Sequence, residues 1–149
     1  MSVAPHTAAA LLAGPGGAPA RAAALAASML AAAPAAGQET APVVLPSGLE
    51  ARLQEVIRTG TGEGRVARFR FVAPGLEAGG ARLEATMNDL EFLCRTYAAP
   101  RLDSVVPGAA RVVISLADRP SEFGVTDADM TQVFEAYRVV DGSCIWEMF

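Results

Sequence analysis

Two hydrophobic periods divide the chain beyond residue 48. In LEARLQEVIRT apolar and polar positions alternate well enough for a strand. In RVARFRFVAP, Ala67, Phe69, Phe71 and Ala73 fall on one face and Arg68 and Arg70 on the other. The Gly-rich TGTGEG between these runs makes them a predicted β-hairpin. In GGARLEATMNDLEFLCRTYAAP the period changes to about 3.6. Leu83, Met87, Leu90, Cys94 and Tyr97 recur at helical spacing, with Leu93 widening the stripe and Glu84, Asp89, Glu91 and Arg95 opposite. Glu91 and Arg95 sit one turn apart as a favourable pair. Pro100 is expected to stop this helix.

ARVVISLA reads as a buried strand and DRPSEFGVTDAD as a loop. TQVFEAYRVV fits two patterns. As a helix it gathers Met130, Val133, Phe134 and Tyr137 on one face, with Thr126 and Asp129 resembling a capping box. As a strand it is rich in β-branched and aromatic residues and runs into Asp141–Gly142, a favoured hairpin turn, with CIWEMF as the return strand. The strand is the better fit from about Thr131. The fold class expected is α+β: an antiparallel sheet of about five short strands in the order β-β-α-β-β-β, with one amphipathic helix packed on one face.

Composition separates residues 1–37 from residues 38–149. The first stretch is nearly all Ala, Gly, Pro and Leu, with Arg21 its one charge. From Arg21 the run RAAALAASMLAAAPAAGQE reads as a charged start, an apolar core and small residues before a polar stretch, the pattern of a signal peptide. Cleavage is expected before Gln38, with Ala35 and Gly37 at the small positions, or before Ala36, with Ala33 and Ala35. The apolar core falls short of the about 20 residues a membrane-spanning helix needs. A disordered Ala-rich tail on a cytosolic chain is the alternative. Residues 38–149 have the length of a single domain.

All 16 acidic residues and every arginine but Arg21 lie beyond Gly37, and lysine is absent, so residues 38–149 carry a net charge of about −5. A mildly acidic domain without a basic block argues against nucleic acid and anionic membrane surfaces as partners. The expectation is a small soluble domain, periplasmic or secreted.

Cys94 and Cys144 are the two cysteines. In an oxidising compartment an even pair in a small domain is most simply a disulfide, with two buried free thiols as the alternative. With Cys94 on the apolar helix stripe, a disulfide turns Cys144 towards the helix. Alternation then puts Trp146, Met148, Tyr137 and Val139 on that core face. Phe134, Arg138, Val140, Ile145, Glu147 and Phe149 fall on the other. Phe134, Ile145 and Phe149, flanked by Arg138 and Glu147, form a candidate surface for a protein partner, unless a second layer of the same chain covers them.

The sole histidine, His6, lies in the leader. Beyond it the chain lacks the usual base for a Ser or Cys nucleophile, the Schiff-base amine and the commonest metal ligand. Gly60, Gly62 and Gly64 suggest a phosphate loop, yet no GK[ST] follows and the setting is a hairpin. Asp118, Glu122, Asp127 and Asp129 are weak candidates for a hard cation, at spacings that match no calcium loop. Arg68 and Arg70 are candidates for a carboxylate or phosphate, with a solvated, salt-bridged face the plainer reading. No cofactor is expected. The leading expectation is a non-enzymatic binding or assembly module; the rival is a small hydrolase using carboxylates or a metal.

DRP at 118–120, FG at 123–124, FEAYR at 134–138, CIWE at 144–147 and terminal Phe149 together resemble a family of small alphaproteobacterial proteins carrying a domain of unknown function. The resemblance implies an exported bacterial protein with no established activity. Some members carry the label acetolactate synthase. This chain is far too short for a thiamine-diphosphate enzyme and has no cofactor-binding motif. A cytosolic regulatory subunit, the other sense of that label, conflicts with export.

Overall fold

The computed structural model describes residues 16, 40–77 and 79–148. The expected leader, apart from Gly16, and Phe149 lie outside the described residues.

Six strands follow one another across a single sheet in sequence order. They are β1 (Val43–Val44), β2 (Glu50–Thr59), β3 (Val66–Val72), β4 (Arg111–Ala117), β5 (Gln132–Val140) and β6 (Ser143–Glu147). The α+β class holds, but the sheet has six strands rather than five, and it is mixed. β1, in the Pro-containing stretch APVVLPSG, adds two residues along β2. β3 and β4 pair in parallel, from Val66 opposite Arg111 to Val72 opposite Ala117. Their connection carries the helix from one end of the sheet to the other, and two adjacent strands joined by such a crossover run the same way.

The helix starts with α1 (Leu83–Leu93), as its periodicity predicts, but Pro100 does not stop the helical path. A π-helical turn over Cys94–Ala98 and a 3₁₀ turn over Ala99–Arg101 lead into α2 (Leu102–Val105). Pro100 occupies the first positions of that 3₁₀ turn, where its missing N–H deprives no partner. Asp89, placed on the polar side by periodicity, is instead fully buried and accepts the Ser47 backbone N–H at 3.0 Å. It anchors the turn after β1 to the helix.

One core lies between the sheet and this helical segment. Ala67, Phe69, Phe71 and Ala73 are all buried, against Leu90, Leu93, Cys94 and Tyr97, with Val112, Ile114 and Leu116 filling the centre. The Tyr97 ring packs edge-on to Phe69 and Phe71. Cys94 and Cys144 come to disulfide distance, with Cα atoms 6.3 Å apart, at the edge of this core.

β5 begins at Gln132, so TQVFEAYRVV is a strand. It turns into β6 through Asp141 and Gly142, both with positive φ, the geometry of a tight hairpin that matches strand twist. Val139 pairs with Cys144 and Tyr137 with Trp146, as alternation requires. Tyr137 is buried, but Trp146 is 52% exposed and Met148 80%, contrary to their expected place in the core. β6 is the sheet edge, and the helix does not reach that far across. Trp146 finds its partner within the sheet, where its indole N–H donates to Glu135 at 2.6 Å. Burial pushes the Tyr137 phenol far above its usual pKa, with the Glu135 and Glu91 carboxylates adding to the rise.

Candidate functional site on the outer face of the sheet

The helix packs on one face of the sheet, and the opposite face is built from three registered rows. The first runs from Glu55 through Arg70 and Ser115 to Phe134. The second runs from Ile57 through Arg68, Val113 and Ala136 to Glu147. The third joins Val66, Arg111, Arg138 and Ile145. Long side chains at β3 and along the third row thus flank a middle of Val, Ser and Ala. That difference in size makes the face concave.

A bulge in β2 sets one wall. Register shifts between Leu53 and Glu55, so Gln54 is the extra residue. Beyond the bulge Glu55 stands beside Arg70, and the two form an ion pair. The Gln54 amide donates to the Ser121 carbonyl at 2.7 Å. Arg70 is 5% exposed and donates its second arm to the Ser121 hydroxyl at 2.7 Å. The loop after β4 is thereby drawn over this end of the face. Gly124, at φ 82°, makes the turn that brings Phe123 inward. The Phe123 ring centre lies 5.9 Å from the Arg68 guanidinium carbon and 5.8 Å from that of Arg70, within cation–π range.

Between these walls lies a cavity of about 160 Å³, with Arg68, Val113, Ser115, Phe123, Gln132 and Phe134 among its lining. The Gln132 amide donates to the Ser115 hydroxyl at 2.7 Å across its floor. Arg68 differs from its neighbour Arg70. Its Nε is buried without a hydrogen-bond partner, and among the described residues it enters no ion pair. A salt-bridged face therefore describes Arg70 but not Arg68.

The described residues of the sequence-predicted partner surface, Phe134, Arg138, Ile145 and Glu147, lie on this same outer face. Phe134 and Ile145 are each about half exposed, at 54% and 52%. Arg138 donates from Nε to Glu147 at 2.9 Å, and Arg111 donates to the other Glu147 oxygen at 3.0 Å. The hydrogen bond from Arg138, with the charges of both arginines, holds the Glu147 carboxyl below the usual range. A second hollow, of about 420 Å³, opens between Arg68 and this charged group and is bordered by Met148.

Asp118 and Asp127, two of the four acidic metal candidates, have side-chain partners. Arg119 pairs with Asp118 at 3.2 Å and lowers its pKa, and it also donates to the Asp129 carbonyl at 2.7 Å. Asp127 accepts the Asp129 backbone N–H at 3.0 Å, and Glu122 borders the cavity. Among the described residues no three His, Cys, Asp or Glu side chains gather as metal ligands do. Gly60, Gly62 and Gly64 lie in the β2–β3 connection, as a turn. Ser115, Phe123 and Gln132 were not among the site residues expected from sequence. The signal available was an aromatic beside a glycine in the loop after ARVVISLA, with the Arg-x-Arg of the earlier strand RVARFRFV.

Among the described residues no helix is long and apolar enough to cross a membrane. The model of a family of unknown function, DUF6497, matches residues 22–149, taking in the apolar run after Arg21 together with all six strands. No curated protein and no solved structure matches the chain.

Proposed function

The chain belongs to the DUF6497 family, whose function is unknown, and we propose that it is an exported, non-catalytic binding module that works through the outer face of its sheet. The observation that carries this reading is a charge inversion. The whole chain has a net charge of −4, yet the registered rows of the outer face set Arg68, Arg70, Arg111 and Arg138 against two carboxylates, Glu55 and Glu147. Charge of one sign concentrated in a concave surface steers partners of the other sign. Half-exposed Phe134 and Ile145 at its margin supply the apolar area that recognition also needs.

Export is supported by the signal-like run from Arg21 and by two cysteines at disulfide distance. A binding role is supported by residues 38–149 lacking histidine and lysine, with Asp118 paired to Arg119 and Asp127 accepting a backbone N–H. The test is affinity capture from a periplasmic extract of the native host, comparing the natural chain with Arg138→Glu and Ile145→Asp. Both positions are exposed, so both variants are expected to fold normally by circular dichroism. The natural chain should retain a defined partner that both variants release. An identical set of captured proteins for all three, or none for any, would overturn the assignment.

A further inference from the structure

We propose that the cavity beneath Phe123 is a receptor site for a small monocarboxylate with a ring-sized apolar body, and that Arg68 binds the carboxylate. The inference deepens the outer-face reading and adds the ligand.

Charge bookkeeping on β3 is the first argument. Arg70 is neutralised by Glu55 and hydrogen-bonded to Ser121. Arg68, two residues away on the same face, has no carboxylate partner among the described residues, and its Nε has no acceptor. A guanidinium matches a carboxylate through two parallel N–H···O bonds, and desolvation under an aromatic ring strengthens them. One uncompensated cation calls for one negative charge. A phosphate dianion or a dicarboxylate would bring excess charge beside Glu122, which borders the same cavity.

Shape is the second argument. The cavity holds about 160 Å³, close to the 150 Å³ of an apolar protein cavity known to accept benzene. Val113 forms part of its floor, and Phe123 and Phe134 supply aromatic walls. The Gln132–Ser115 hydrogen bond occupies one donor and one acceptor at the floor, which reduces the polar surface an apolar body would cover there. Phe123 is 55% exposed on its loop, so it can lift to admit a ligand without opening the core.

The test is a nuclear magnetic resonance titration of the full-length oxidised chain with phenylacetate, alongside benzyl alcohol and phenyl phosphate. Phenylacetate should shift the Ser115, Gly124 and Gln132 amides saturably, with a Kd at or below about 1 mM, and more tightly than either control. Arg68→Gln should weaken it at least about tenfold, the loss expected for a hydrogen bond to a charged group. Phe123→Ala, on an exposed loop, should weaken it independently of any folding defect at position 68. Glu122→Gln should tighten it, and Arg95→Gln, exposed on the helix, should leave it unchanged. Absence of saturable shifts, equal binding of benzyl alcohol, or undiminished binding by both Arg68→Gln and Phe123→Ala would overturn the site. Partner capture that still depends on Arg138 would then show that only this site, and not the outer-face reading, has failed.

Discussion

Arg68 and Arg70 share a strand, a face and a residue type, yet their surroundings differ sharply. The Arg70 side chain is 7% exposed and ion-paired with Glu55, whose own side chain is 40% exposed. Removing the partner of a buried charge costs far more than the pair contributes, because the remaining ion stays desolvated. With Glu55 partly in water, Glu55→Gln should cost about 1–3 kcal/mol of stability in urea unfolding. Glu91→Gln removes the exposed helix pair with Arg95, at 3.8 Å, and should cost less than about 0.5 kcal/mol. Equal losses in the two variants would show that Arg70 is not held as described. The alternation RFR placed both arginines on one face from sequence alone. Their difference was not legible, because it depends on a bulge at Gln54 and a loop 51 residues beyond Arg70, both long-range features.

Elements were read well wherever the pattern was local and long. The β2–β3 hairpin, the start of the helix, and β4 to β6 all follow from period and turn chemistry, Asp141–Gly142 above all. The misreadings share a cause, since each needed information from elsewhere in the chain. β1 is too short to show a period and exists because β2 offers it an edge. Parallel pairing of β3 with β4 follows from the crossover path, which strand patterns do not encode. Trp146 has the alternation of a core residue but lies where the helix no longer covers the sheet.

The contact between helix and edge strand is also where covalent chemistry matters most. Only a few residue pairs join β6 to the helical segment, and the Cys94–Cys144 pair closes a separation of 50 residues. In the chain-entropy account such a loop contributes on the order of 4 kcal/mol. Replacing both cysteines by alanine should therefore lower Tm by roughly 15 °C or more, given typical unfolding entropies for domains of this size. A shift of only a few degrees would mean that β6 is held by its hairpin with β5 alone.

At the scale of the whole molecule, one face of the sheet is covered by the helix, and the other is the face proposed for recognition. The helix face is apolar and buried, and its composition follows from the need for a core. The outer face carries Arg68, Arg70, Arg111 and Arg138. Its centre is small side chains, and its rim is aromatic or charged. The sequence already showed an acidic chain with its partner-surface residues on one side of β5 and β6. It did not show that Arg68 and Arg70 of β3 share a face with those residues.

The most direct test of this division is site-specific photocrosslinking in the periplasm of the native host. A photoreactive residue at position 145 would report on the outer face, and one at Arg95, exposed on the helix, on the opposite side. The account predicts a discrete adduct from position 145 that disappears with Arg138→Glu, and none from position 95. An adduct from position 95 alone, or from neither position, would contradict it.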